Sequence, residues 1–175
     1  MDLKLAMAQV LEKMIQDPKW SERAKCYKMV KEGATERDTA LKVYGSADKQ
    51  PRVNEGKKAA QGEAKRQLGG IYENVVTLRL SQQGYNVQHL GGSGEPDILA
   101  TKGDKTTIVS CKIYEDPKKV VSIDPVQFRP ECNYAQKINS EKFLLFFYNL
   151  SWEKEIIREI DRDTGTVTLR LSECA

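Results

Sequence analysis

Apolar residues recur at helical spacing through the first part of the chain. Residues 3–16 place them at i, i+3, i+4 and i+7, which is typical of an amphipathic helix. A second helix is predicted over 21–32, with Gly33 ending it, and a third from a cap at Thr35 to Tyr44. The N-terminal part of the chain is therefore predicted to be helical.

A longer helix is predicted from Lys57 to about Gln83, with Gly84 following its last turn. Glu73 lies at the edge of its apolar stripe and shares a face with Val76 and Leu80. A glutamate there is either a surface residue or a functional acid held beside the core. The stripe itself is predicted to comprise Leu68, Ile71, Tyr72, Val75 and Leu78.

The remaining apolar segments are short, rich in β-branched or aromatic residues and separated by turns, which indicates strands. They lie at 85–90, 98–101, 106–113, 120–123, 143–148, 155–161 and 166–171. A hairpin is predicted at 102–105 and another around Asp163-Thr164-Gly165. Asp124-Pro125 is typical of a helix start. The predicted fold class is α/β, with a mixed central sheet flanked by helices and an N-terminal helical extension.

Composition and charge fit a globular chain of 175 residues with no segment long and apolar enough for a membrane. The net charge of +3 is unevenly distributed. Up to Arg66 there are 15 lysines and arginines against 10 aspartates and glutamates, and after it 13 against 15. The first part thus carries +5 and the second −2. The excess indicates either a polyanion partner or a solvated helical surface.

Four cysteines are scattered without CxxC spacing, at Cys26, Cys111, Cys132 and Cys174. We expect them to be free thiols in a reducing compartment. The first residues show no basic segment followed by an apolar one, so no secretion signal is predicted. Both observations favour a cytoplasmic protein.

Residues 29–46 resemble the first two helices of a helix-turn-helix, with Gly33 between the helices and Ala40 where they cross. A recognition helix should follow. The next stretch, 47–56, contains Pro51 and Gly56 and is predicted to be a poor helix. A DNA-reading motif and a plain helical hairpin both remain open. The predicted division is a helical region at 1–56 and a main domain at 57–175.

Candidate chemistry lies on the first predicted hairpin. Asp97 precedes one strand and Lys112 stands near the end of the next. Alternation puts Ser110 and Lys112 on one face. Carboxylates hold Mg²⁺ or Mn²⁺, and a lysine can orient or deprotonate water, which together suit phosphodiester hydrolysis. Asp97 could instead cap a turn, and Lys112 could protect a sheet edge.

Glu73, Pro96-Asp97 and Ser110-Cys111-Lys112, in the order helix, strand, strand, resemble the PD-(D/E)xK nuclease superfamily. The loop from Gly91 to Ala100 is most similar to that of archaeal Holliday-junction resolvases and related restriction-type enzymes. The resemblance covers roughly residues 65–148. It implies a restriction-endonuclease-like core and a Mg²⁺- or Mn²⁺-dependent endodeoxyribonuclease. The implied enzyme cuts duplex or branched DNA and acts as a homodimer.

The resemblance also implies roles for the motif residues. Asp97 corresponds to the central metal ligand and Glu73 to an auxiliary one. Lys112 corresponds to the catalytic lysine, and the carbonyl of Cys111 to a backbone ligand. Ser110, counted with the catalytic set, stands where the family usually has an acid.

Some restriction enzymes with Ser-x-Lys take the missing acid from the following helix, which here offers Asp124 or Glu131. Asp124 is nearer in sequence but is expected to cap a helix, so Glu131 is preferred. Contacts to nucleic acid are predicted at Gly92, Ser93, Gly94, Gln127 and Arg129. The missing acid leaves an alternative open, a non-catalytic nucleic-acid-binding protein with a degenerate nuclease fold. A helix-turn-helix regulator with an α/β dimerisation domain is a third.

Overall fold

The computed structural model describes residues 2–115, 117–118 and 120–170, so Cys174 and the predicted end of the last strand at Leu171 lie outside it. The chain divides into two compact units, residues 2–68 and the part from Gly69 onward. The predicted functional division after residue 56 stays a prediction. Cys26, Cys111 and Cys132 are free thiols.

The first unit is helical, as predicted. It contains α1 (Leu3–Gln16), α2 (Ser21–Lys31), α3 (Glu36–Tyr44) and the beginning of α4 (Gln50–Gln82). The Thr35 hydroxyl caps α3 by accepting a hydrogen bond from the Asp38 amide. Gly45 ends α3 with a φ of 75°, the left-handed conformation that glycine adopts without strain.

α4 begins seven residues before its predicted start at Lys57, and 47–56 is not the poor helix that its composition predicted. Pro51 lies in the first turn, where its missing N–H costs no intrahelical hydrogen bond. Gly56 packs closely on α2, since a Cβ there would lie 3.4 Å from the Arg23 side chain. In the described part of the chain no helix is long and apolar enough to cross a membrane.

The second unit begins with the remainder of α4, whose buried side matches the predicted stripe only in part. Tyr72 is buried as predicted, but Val76 and Leu80 are buried with it, whereas Leu78 is 61% exposed. The sequence offers two overlapping rows of apolar residues at helical spacing, and packing against the sheet selects one of them. The Tyr72 ring contacts Tyr148 at a centroid distance of 6.0 Å.

A five-stranded sheet forms the centre of this unit, in the order β1-β2-β3-β5-β6. Its strands are β1 (Asn86–His89), β2 (Ile98–Lys102), β3 (Lys105–Tyr114), β5 (Lys142–Asn149) and β6 (Lys154–Glu159). β3 and β5 are parallel and the other neighbours antiparallel. The predicted hairpin between β2 and β3 is confirmed, with Lys102 opposite Lys105.

Helices cover both faces of the sheet, so the predicted fold class is confirmed. α5 (Arg129–Lys137) follows a 3-10 turn at Pro125–Phe128 and lies in the connection between β3 and β5. Its residues Cys132 and Ala135 share one core cluster with Ile108 of β3 and Phe143 of β5. α4 packs on the opposite face, through the contact between Tyr72 and Tyr148.

The predicted terminal hairpin is wrong. Its turn exists, with the Asp161 carboxylate accepting hydrogen bonds from the amides of Asp163 and Thr164. The last strand, β7 (Thr168–Arg170), nevertheless pairs with β4 (Val120–Ser122) in a separate two-stranded sheet. This pairing buries Leu169 in the same cluster as α5, a gain in apolar burial that the turn sequence does not reveal.

Candidate active site

Asp97, the residue before β2, is hydrogen-bonded to the backbone of β3. The ladder between the two strands ends with Ile98 opposite Val109. Beyond it, Oδ2 of Asp97 accepts a hydrogen bond from the backbone N–H of Cys111 at 2.6 Å. The carboxylate thus satisfies an amide that the strand ladder leaves without a partner, which fixes Asp97 beside the Ser-x-Lys segment.

Glu131 approaches the same segment from α5. Its Oε1 lies 3.1 Å from the Ser110 hydroxyl, and the nearer Asp97 oxygen lies 3.4 Å from that hydroxyl. A serine has a single proton, so the shorter contact marks Glu131 as its acceptor. Glu131 is only 7% exposed, and its Oε2 has no hydrogen-bond partner in the described structure. A buried carboxylate with one unpaired oxygen is costly unless a cation or donor approaches it.

Asp124, the other acid left open by the sequence, has a different role. Its Oδ1 accepts a hydrogen bond from the Val126 amide at 3.0 Å, and its side chain is exposed at the start of the 3-10 turn. Glu131 is therefore the acid that lies beside Ser110. The two acids differ in position because Asp124 precedes the 3-10 turn, whereas Glu131 lies in the first turn of α5, which starts at Arg129.

Glu73 and Lys112 interact with this group. Burial raises the pKa of Glu73, the charge of Asp97 raises it further, and Lys112 opposes the shift. α4, the loop before β2 and the end of β3 therefore bring Glu73, Asp97 and Lys112 within electrostatic range of one another. Their catalytic roles stay predictions.

The electrostatics of Glu131 follow the same pattern. Burial raises its pKa, while the charge of Lys112 and the hydrogen bond from Ser110 lower it and Asp97 raises it. Lys112 thus lies within electrostatic range of acids on two elements, α4 and α5. Burial also raises the pKa of the Cys111 thiol, which keeps it protonated and leaves its backbone as the part suited to the site.

The predicted nucleic-acid contacts border the acids. Gly92, Ser93 and Gly94 form an exposed loop that Glu95 closes by accepting a hydrogen bond from the Gly92 amide at 2.9 Å. Gly94 has a φ of 81°, and a Cβ there would lie 3.4 Å from Pro130. The loop therefore lies next to the first turn of α5, which contains the exposed Arg129 and is preceded by the 3-10 turn with the exposed Gln127.

Glu155 holds α4 in position, a role that the sequence did not predict. Glu155 of β6 accepts hydrogen bonds from the Tyr72 hydroxyl at 2.7 Å and from Arg79 at 2.6 Å. These contacts hold α4 on the sheet and thereby orient Glu73, which follows Tyr72. No local signal could have revealed them, since the partners are 76 and 83 residues apart.

The carboxylate oxygens of this site suit a hard divalent cation that takes only one or two ligands from the protein. Within residues 2–115, 117–118 and 120–170, no group of three or more His, Cys, Asp or Glu side chains could hold a metal ion. Mg²⁺ does not require such a cage, because it commonly takes one or two carboxylates and completes its shell with water and substrate phosphate. The unpaired Oε2 of Glu131 and the carboxylate of Asp97 are suitable ligands of this kind.

Two buried serines allow a matched test of the Ser110 contact. We expect Ser110→Ala to lower the free energy of unfolding by about 1–3 kcal/mol, because Glu131 loses its hydrogen bond. Ser140→Ala should be neutral or stabilising, since the equally buried Ser140 hydroxyl has no partner among the described residues. Urea denaturation monitored by circular dichroism measures both. Equal losses would show that Ser110 does not support Glu131.

Comparison with known proteins yields matches among solved structures. No protein-family model matches the chain, and no curated protein matches it in sequence. The Holliday junction resolvase Hjc of Archaeoglobus fulgidus, an archaeal hyperthermophile, is 14% identical and superposes with a TM-score of 0.46. The match covers 59% of this chain and 87% of that one. The chain is thus similar in outline to this resolvase, and no residue role is transferred from it.

Proposed function

We propose that the protein is a metal-dependent DNA endonuclease of the PD-(D/E)xK type. The observation that supports this most strongly is the placement of Glu131 beside Ser110, with its Oε2 buried and without a partner in the described part of the chain. Glu131 on α5 would supply the carboxylate that the family usually has at the position of Ser110. The loop acid Asp97 and the lysine Lys112 act on it electrostatically.

In this proposal Asp97 and Glu131 would hold the cation with the Cys111 carbonyl, and Glu73 would act on it through a cation-bound water. The bound cation would activate water and neutralise charge on the phosphate. Asp97 is oriented by the Cys111 amide, and Glu131 by the Ser110 hydroxyl. Lys112 would orient the attacking water or stabilise charge on the phosphate, since it is an ammonium within electrostatic range of these carboxylates.

The raised pKa values of Glu73 and Glu131 give the site a defined pH dependence. In the metal-free protein, burial stabilises the protonated forms. Their contribution to stability is therefore complete below the ordinary glutamate pKa of about 4.3 and is lost as the pH rises through the raised values. Cation binding must displace these protons, so cation affinity and cleavage should both increase with pH over that interval.

The test combines cleavage and stability. Labelled four-way junctions and linear duplexes are incubated with the protein in Mg²⁺, Mn²⁺ or EDTA. Glu131→Gln is expected to reduce cleavage at least about tenfold. It should also stabilise the metal-free protein near neutral pH, because it removes a buried charge. Asp124→Asn, which keeps the helix cap, should leave cleavage unchanged.

Failure of Mg²⁺ and Mn²⁺ to support any cleavage contradicts the proposal. It would favour the second candidate, a nucleic-acid-binding protein with a degenerate nuclease fold. Two observations support that candidate: Ser110 in place of an acid, and the lack of a three-residue metal cluster among the described residues. It predicts salt-sensitive DNA binding with no metal-dependent cleavage. The homodimer stays a prediction under either candidate.

A further inference from the structure

Three helices of the first unit pack around a small core of their own. Cys26 of α2, Ala40 of α3 and Val53 of α4 are fully buried against one another. Val30, Val43 and Tyr44 close this core from its edges. Residue 53 belongs to the stretch that composition predicted to be a poor helix, so the structure supplies a third helix where the motif at 29–46 requires one.

The connection between α3 and α4 is short and well defined. Gly45 turns the chain out of α3, and Ala47–Lys49 form a single 3-10 turn immediately before Gln50. Ala40 is completely buried where the helices meet, which permits close approach. A short turn containing glycine between two packed helices is characteristic of a helix-turn-helix.

Acids of α2 and α3 fix one side of α4. Glu36 accepts a hydrogen bond from Asn54 at 2.8 Å and pairs with Lys57 at 3.5 Å. Arg52 pairs with Glu22 at 3.0 Å, and its guanidinium stacks over the Tyr44 ring at 4.5 Å. These contacts hold the first turns of α4 in one orientation relative to α2 and α3.

The other side of α4 faces solvent. Glu55 and Lys58, two and five residues after the buried Val53, lie opposite the core and are exposed. Lys49 is also exposed just before the helix. Neither lysine forms an ion pair among the described residues, in a part of the chain that carries +5 up to Arg66. Unpaired lysines at the start of a fixed helix suit DNA phosphates.

We propose that α2, α3 and the start of α4 form a helix-turn-helix that reads duplex DNA, with the first turns of α4 lying in the major groove. The inference does not depend on the nuclease site, because every residue that supports it belongs to the first unit. It assigns this unit a role in selecting DNA sequence.

The test measures duplex binding in EDTA, where metal-dependent cleavage is absent, over a range of salt concentrations. Lys49→Gln/Lys58→Gln should reduce affinity and decrease the slope of log affinity against log salt by about 2. The control Lys13→Gln/Lys19→Gln removes the same charge from exposed positions in α1 and in the turn before α2, outside the three helices of the motif, and should leave the slope nearly unchanged. Equal effects of the two double variants would indicate a diffuse charge effect and overturn the proposal.

Two further measurements separate reading of DNA from loss of folding. Glu55→Gln removes an exposed negative charge beside Lys58 and should tighten binding, a result that misfolding cannot produce. Selection from a randomised duplex library should yield a preferred sequence, and Lys49→Gln/Lys58→Gln should keep that preference while binding every duplex more weakly. Binding without any preferred sequence overturns the proposal, whether or not the protein cleaves DNA.

Discussion

Asp97→Asn is expected to reduce metal-dependent cleavage by roughly 10³-fold or more. Asparagine keeps an oxygen that can accept the hydrogen bond from the Cys111 amide, so the loop before β2 should retain its position. What is lost is the negative charge, and with it the affinity for a divalent cation at the centre of the acids. Cleavage of a labelled four-way junction in Mg²⁺ measures the first effect, and calorimetric titration with Mn²⁺ measures the second.

Asp124→Asn serves as the matched control for this variant. It makes the same chemical change at an acid that caps the 3-10 turn, away from Ser110, and asparagine is an equally good cap. It should leave both cleavage and cation binding as in the unmodified protein. Full cleavage by the Asp97 variant, with its melting temperature unchanged, would remove Asp97 from the mechanism.

The sequence predicted those parts of the site that depend on local patterns. The alternation of apolar residues in 106–113 places Ser110 and Lys112 on one face, and the turn at 102–105 aligns β2 with β3. Together they bring Asp97 to the Ser-x-Lys segment. The sequence left the acid beside Ser110 open between Asp124 and Glu131, because that depends on where the 3-10 turn gives way to α5.

Other differences arise from long-range packing. The sequence predicted correctly that Tyr72 is buried, but it could not show that Val76 and Leu80, rather than Leu78, continue the buried side of α4. It could not show that β7 pairs with β4 and not with β6, since this pairing is stabilised by burial of Leu169 against residues distant in sequence. Local propensity also misjudged the start of α4, where the core around Val53 supports a helix despite its proline and glycine.

Replacement of Lys112 by methionine should slow cleavage on the order of 10²–10⁴-fold, the usual contribution of a group that transfers or orients a proton. Methionine preserves the apolar bulk of the side chain and removes its charge. Lys112 is the cation that opposes the raised pKa values of Glu73 and Glu131, so both values should rise further without it. The pH profile of any residual cleavage should therefore shift to higher pH.

Lys105→Met provides the comparison at the opposite end of the same strand. Lys105 forms an exposed ion pair with Glu141 at 2.8 Å, so its replacement should leave the free energy of unfolding nearly unchanged and cleavage intact. Single-turnover rates from pH 6 to 9 for the two variants and the unmodified protein test both expectations. If the Lys112 variant keeps the rate and pH profile of the unmodified protein, its ammonium takes no part in the reaction, and the acids around Ser110 must orient the water without it.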